Sequence, residues 1–167
     1  MTQDRGPRPG GQGDRAGTSV PDAAILKRII EDGEVETLIT WAETVGRGLA
    51  LTERLTSSQA RGFFGAVRQI QAEADATAAH EQMARQVGAG TGLTESVHRK
   101  LQLLKPRLAY QAERDRENRK GEGVLRLKQV LTQAIDLVGR DRARFTRFVE
   151  FFEAIMAYHK AAGGRDQ

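Results

Sequence analysis

The chain carries three histidines, His80, His98 and His159, and none has a second ligand at metal-binding spacing. His80-Glu81 does not open an HExxH zinc motif, because position 84 is Ala. Glu150 and Glu153 stand at i and i+3, but a di-metal carboxylate bundle needs a Glu-x-x-His pair on each of two helices, and none is present. Cysteine is absent, which removes thiol nucleophiles, disulfides and thiolate metal clusters. The GAGTG run at 88–92 has the glycines of a phosphate loop without its lysine or its preceding strand, so it reads as a connector. No nucleophile is paired with a base. The sequence therefore assigns no catalytic residue, no metal and no cofactor.

The chemistry that the residue types do support is recognition of anions. Arg47, Arg54, Arg61 and Arg68 recur every seven residues, nearly two helical turns, with a drift of about 20° per step. Arg61 and Arg68 share one helix face, and Arg47 and Arg54 join them only if a kink allows it where Gly46 and Gly48 weaken the backbone before residues 49–55, a stretch that continues the helix after the kink or forms a separate turn. Guanidinium groups at that spacing can follow a phosphate backbone, each engaging oxygens bidentately. A second group, Lys105, Arg107 and Tyr110, surrounds a proline that fits the first turn of a helix, where free amides also favour anions. Tyr110 offers a ring for stacking or a hydroxyl for phosphate. A third group, Arg140, Arg142, Arg144 and Arg147, clusters at the start of the last helix. Lys128 adds a cation chosen on charge alone. The competing reading of all these positions is a solvated, arginine-rich surface.

Helices must position these groups. The segment 142–160 concentrates four of the six phenylalanines, and Phe145, Phe148, Val149, Phe152, Ile155, Met156 and His159 step by three and four. Phe151 and Tyr158 widen that stripe, and Gly163-Gly164 end the helix. Phe145, Phe148, Phe152, Ile155 and Met156 are expected to anchor the core. Upstream, Asp22 caps a short helix carrying Ile25, Ile29 and Ile30, which Gly33 interrupts. Val35, Leu38, Ile39, Ala42 and Val45 mark a second helix, flanked by Trp41. Thr56-Ser-Ser-Gln59 has the form of a capping box and opens a third, with Phe63, Phe64, Val67 and Ile70 on its buried face. Residues 77–94 read as a flexible connector. Val97, Leu101 and Leu104 resume the helical period, and Pro106 predicts a joint at Leu104-Lys105 between two helical pieces. Val124 to Val138 form the partner of the phenylalanine helix in a C-terminal hairpin. No segment alternates as a strand does. The prediction is an all-α compact bundle of five to six helices.

At 167 residues the chain suits one domain, 22–164, behind a disordered tail at 1–21 that is rich in Gly, Pro and Arg and nearly devoid of apolar side chains. No apolar run reaches the length of a membrane span, and the N-terminus has no signal core, so a cytoplasmic protein is expected. Charge is unevenly divided: residues 1–95 carry 10 basic against 13 acidic side chains, and 96–167 carry 16 against 9. A basic second half implies an anionic partner.

Three ordered blocks, LTSSQARGFFGAVRQI at 55–70, LLKPRLAYQA at 103–112 and FFEAIMAYHKAAGG at 151–164, resemble the small subunit of type III-A CRISPR effector complexes, the Csm small-subunit family. Together with the helices between them they span about residues 22–164. Residues 1–21 fall outside the family pattern, and the 77–94 connector is longer and richer in Gly and Ala than that pattern. The resemblance implies a non-catalytic helical bundle that stacks in copies beside RAMP-fold backbone subunits and the large subunit. There it lines the channel in which guide RNA pairs with target RNA, through contacts to phosphate and sugar. Carried onto this chain, it makes Arg61, Lys105 and Arg107 RNA contacts, with Arg54 and Arg68 following by helical spacing and Lys128 and Arg147 by charge. The block at 151–159 is read mainly as packing. The alternative is a helical adaptor whose basic surface meets acidic protein subunits. A metal-dependent hydrolase ranks third and would require His and Glu positions to converge in space.

Overall fold

The computed structural model describes residues 20–83 and 92–164. Asp22 caps α1 (Ala23–Lys27), its Oδ1 accepting the Ile25 amide at 2.8 Å. The chain then widens into one π-helical turn, Arg28–Asp32, and leaves it through Gly33, whose φ of +73° lies in the left-handed region. Next come α2 (Val35–Leu51), α3 (Ser57–Met83), α4 (Glu95–Glu117), α5 (Gly123–Val138) and α6 (Arg142–Ala161). The fold is all-α, with six helices and, among the described residues, a single isolated bridge between Gly92 and Asp141 as its extended pairing. Most of the tail predicted as disordered lies outside the described residues. Of that predicted tail, Val20 packs against the core and Pro21 is buried.

The phenylalanine helix is the centre of the bundle. Phe148, Phe151, Phe152 and Ile155 are fully buried, Phe145 and Val149 nearly so, while Met156 and Tyr158 are half-buried. Its most extensive contact is with α2, which runs parallel to it: Arg147 reaches Ile30 just before α2, Gly46 lies against Ile155 and Tyr158, and Leu55 just beyond α2 meets His159. Helix α3 runs the other way along α6, with Ser57 bonded to Gly164 at 3.1 Å, Phe64 edge-on to Phe152 at 5.5 Å, and Glu81 at 3.5 Å from Arg142. Helix α4 reverses again beside α3, and α5 beside α4. The hairpin of α5 and α6 forms as predicted, although each of these helices packs more extensively on another partner.

Two interruptions expected from proline and composition are not there, and the choice left open at Gly46 and Gly48 is settled as continuous helix. Helix α2 continues through Gly46 and Gly48 to Leu51. A Cβ on Gly46 would stand 2.5 Å from the Ile155 carbonyl oxygen and 2.8 Å from Tyr158 Cβ, so this glycine exists to let α2 and α6 touch. Helix α4 likewise runs unbroken through Pro106, where the sequence predicts a joint. Pro106 forfeits one backbone bond to the Gln102 carbonyl. Buried Leu101, Leu104, Leu108 and Ala112 hold both halves on one apolar line. Helix α3 runs on to Met83, so residues 77–83 of the expected connector are helical, while 84–91 lie outside the described residues. On α2, Val35 and Ile39 face solvent, and the buried stripe is Leu38, Ala42, Val45 and Leu49.

Candidate nucleic-acid interface

Helix α3 starts from the predicted capping box: the Thr56 amide donates to Gln59 Oε1 at 3.0 Å, and the Gln59 amide donates to Thr56 Oγ1 at 3.2 Å. The same Gln59 reaches α4, its Nε2 donating at 2.7 Å to buried Asp115, which also accepts from Gln111 Nε2 at 2.8 Å. At the far end Glu73 on α3 accepts from Ser96 at 2.7 Å and pairs with Lys100 on α4. Hydrogen bonding from Lys100 first, then from Ser96, holds the Glu73 carboxyl below its ordinary value of 4.5. These two braces fix the spacing of α3 and α4 and so shape the groove between them.

Helix α3 therefore presents an exposed crest, Arg61, Gly65 and Arg68, between two concave surfaces. On one flank Ser57, Ala60, Arg61 and Phe64 face Met156, His159 and Lys160 of α6 across a slot of about 220 Å³. On the other, Ser58, Gln59, Gly62 and Phe63 face Arg107, Tyr110, Gln111 and Arg114 of α4 across a cavity of about 380 Å³. No carboxylate lines either of these two cavities. Among the described residues no acid is paired with Arg61, Arg107 or Arg114. Beyond Arg107 the groove continues past Gln69 and Leu103 to the Glu73–Lys100 pair.

Residues 32–165 match the family model Csm2 Type III-A, which covers most of the chain. The chain belongs to the Csm2 family. It is a structural small subunit of a type III-A CRISPR complex. Against curated proteins and against solved structures no match is found.

Within this Csm2-family fold the seven predicted cations occupy different settings. Arg61 and Arg68 lie on the α3 crest, with Arg68 donating to Gln71 at 2.7 Å, and Arg107 lies across the groove. Arg54 leaves the seven-residue line: it sits in the turn after α2 with φ of +59°, beside Arg119, whose φ is +53°. Arg47 stays on α2, 3.4 Å from Glu43. Because α3 runs antiparallel to α2, the predicted row of four arginines cannot form. Lys105 points away from the groove and pairs with Asp136 on α5. Lys128 is half-buried on α5, near Glu113. Arg147 turns inward, where its Nη1 donates to the carbonyls of Ile30 and Glu31 at 3.2 and 2.5 Å and closes the end of the π-helical turn. Arg144 joins it, bonding Glu31 at 3.0 Å and the Leu137 carbonyl at 3.1 Å.

Two of the three histidines are structural, and His80 is exposed on α3. His159 is buried and its Nε2 lies 2.8 Å from the Leu55 carbonyl; since a carbonyl only accepts, that nitrogen carries the proton. His98 Nδ1 meets the Gly139 carbonyl at 2.9 Å in the same way. Among the described residues no three potential ligands gather into a metal site, and no helix is long and apolar enough to cross a membrane. Two groove residues, Arg114 and Gly62, were missing from the sequence reading. Arg114 follows Arg107 by seven and Tyr110 by four, a signal visible in the sequence had α4 been read as one unbroken helix.

Proposed function

We propose that this subunit meets RNA with the α3 side of the bundle, using Arg61, Arg68 and Arg107 against phosphate and sugar without regard to sequence. The observation that supports it is the pair of cavities flanking α3, each with an unpaired arginine and neither with a carboxylate in its lining. Arg54, at the end of the molecule nearest Ser58 and Arg114, would extend the path. Lys105 and Arg147 are engaged with protein acceptors, so this reading leaves both out of the RNA contact. In the complex the partners under this reading are guide and target RNA, the RAMP-fold backbone subunits, the large subunit and neighbouring copies of the chain. Chemistry on the target belongs to those other subunits.

The test is salt-dependent binding of a single-stranded RNA by the variant carrying Arg61→Glu, Arg68→Glu and Arg107→Glu. Each lost phosphate contact lowers the slope of log affinity against log salt by about 0.7. Helical content by circular dichroism should not change, because these residues are exposed. The control, Lys105→Gln, removes an ion pair on the opposite side of α4 and should leave RNA affinity intact. An unchanged affinity in the triple variant, or an assembled complex whose small subunit gives no crosslink to labelled guide or target RNA, would favour the protein-adaptor reading instead.

A further inference from the structure

Tyr110 is one of the most exposed large hydrophobic residues on the described surface, at 69%, and it stands on the rim of the α3–α4 groove. Exposing an aromatic ring costs hydrophobic stabilisation, and nothing in the bundle uses it. Its neighbours on α4 are Arg107, three residues before, and Arg114, four residues after, so a guanidinium group lies one turn to either side of the ring. The opposite wall is low at its middle. Gly62 sits inside α3, where glycine is unfavourable, yet a Cβ built on it would meet no atom within 4 Å. Packing within this chain therefore does not require glycine there. The lining of this cavity contains arginine, tyrosine, serine and amide side chains and no acid.

Resting on the RNA-binding reading above, we propose that this groove is a nucleotide-stacking subsite for single-stranded RNA. One unpaired base lies on the face of Tyr110 over the gap left by Gly62, and Arg107 and Arg114 hold the phosphates on its two sides. An aromatic face accepts any base, so the subsite adds affinity for unstacked RNA without adding sequence preference. It also makes the subunit discriminate single strands from a duplex, whose bases are stacked on each other and cannot reach the ring.

The experiment compares three ligands, a short oligouridylate, the matched abasic ribose-phosphate strand and an RNA duplex, by fluorescence anisotropy with the full chain. Tyr110→Leu should weaken binding of oligouridylate about five- to a hundredfold while leaving the abasic strand and the duplex unchanged. Tyr110→Phe keeps the ring and should bind as the parent does. Arg107→Glu should weaken all three. Equal loss on oligouridylate and abasic strand in Tyr110→Leu, or an equal loss in Tyr110→Phe, assigns the tyrosine to the sugar–phosphate backbone and overturns stacking while leaving the RNA-binding reading standing. A photoreactive residue at 110 that crosslinks only to a protein subunit in the assembled complex overturns it as well. Failure of the parent to bind any of the three ligands removes both readings together.

Discussion

Gly46 and Gly62 are both glycines inside long helices, and the fold predicts opposite consequences for the same substitution. Replacing a helix-interior glycine with alanine normally stabilises by about 1 kcal/mol, because the unfolded chain loses freedom it no longer has to give up. At Gly62 the added methyl meets nothing within 4 Å, so Gly62→Ala should gain about 0.5–1 kcal/mol. At Gly46 the methyl would lie 2.5 Å from the Ile155 carbonyl oxygen, 2.8 Å from Tyr158 Cβ and 3.0 Å from the His159 amide nitrogen. Comfortable contact is about 3.5–4 Å, so α2 and α6 must part by about 1 Å. These are backbone and Cβ atoms that cannot swing aside. Ala42, Val45 and Leu49 on α2 and Phe152 and Ile155 on α6 are buried along these two helices, and a gap of that size forfeits a quarter to a half of each contact's attraction across the seam. The cost is about 2–4 kcal/mol, and after the helical gain the net loss for Gly46→Ala is about 1–3 kcal/mol. With a urea slope of about 1–3 kcal/mol per molar, the midpoint followed by circular dichroism should fall by about 1 M for Gly46→Ala and rise slightly for Gly62→Ala. A Gly46→Ala midpoint equal to or above that of the parent would mean that α2 and α6 are not in contact at this point, and the parallel pairing at the centre of the bundle would be wrong.

Phe152→Ala removes a fully buried ring and its edge-on partner Phe64, and should cost about 3–5 kcal/mol in the same titration; a loss below about 1 kcal/mol would deny α6 its central place. Arg147→Ala leaves the Ile30 and Glu31 carbonyls without their guanidinium donor and should cost about 1–3 kcal/mol with no change in RNA affinity, whereas Arg61→Ala should do the reverse. Glu73 gives a pH signature. Its carboxyl is held below the ordinary 4.5 by Lys100 and Ser96, so the stabilisation is fully present above that value and is lost as pH falls through the lowered one. The advantage of the parent over Glu73→Gln in urea midpoint should therefore shrink between neutral pH and about pH 3, more so at low salt, and a constant difference would show that the ion pair does not form in solution.

Periodicity made most of the bundle legible. The phenylalanine stripe, the Asp22 cap and the Thr56–Gln59 box all formed as read, because each depends on residues within one or two turns of each other. The misreadings came from residues whose local preference was overridden across the fold. Gly46 looks like a weak point along α2 and is a contact point when α6 lies against it. Pro106 looks like a boundary, yet the apolar line from Leu101 to Ala112 on α5 and the core outweighs one missing amide. Reading α4 as two pieces also hid the face shared by Arg107, Tyr110 and Arg114, and with it the groove.

Charge was the least legible property, for a physical reason. An arginine head sits at the end of a long flexible stem, so its sequence position says little about whether it reaches solvent or a neighbouring carbonyl. In the basic second half, Lys100, Lys105, Arg126, Arg140 and Arg142 are paired with carboxylates, while Arg144 and Arg147 close the π-helical turn. The cluster at the start of α6, the third basic group of the sequence, thus joins that helix to its neighbours. What separates the arginines proposed to bind from the structural ones is the company they keep. Among the described residues Arg61, Arg107 and Arg114 form no ion pair and each lines a concave surface without a carboxylate, which a solvated surface charge does not need and a phosphate ligand does.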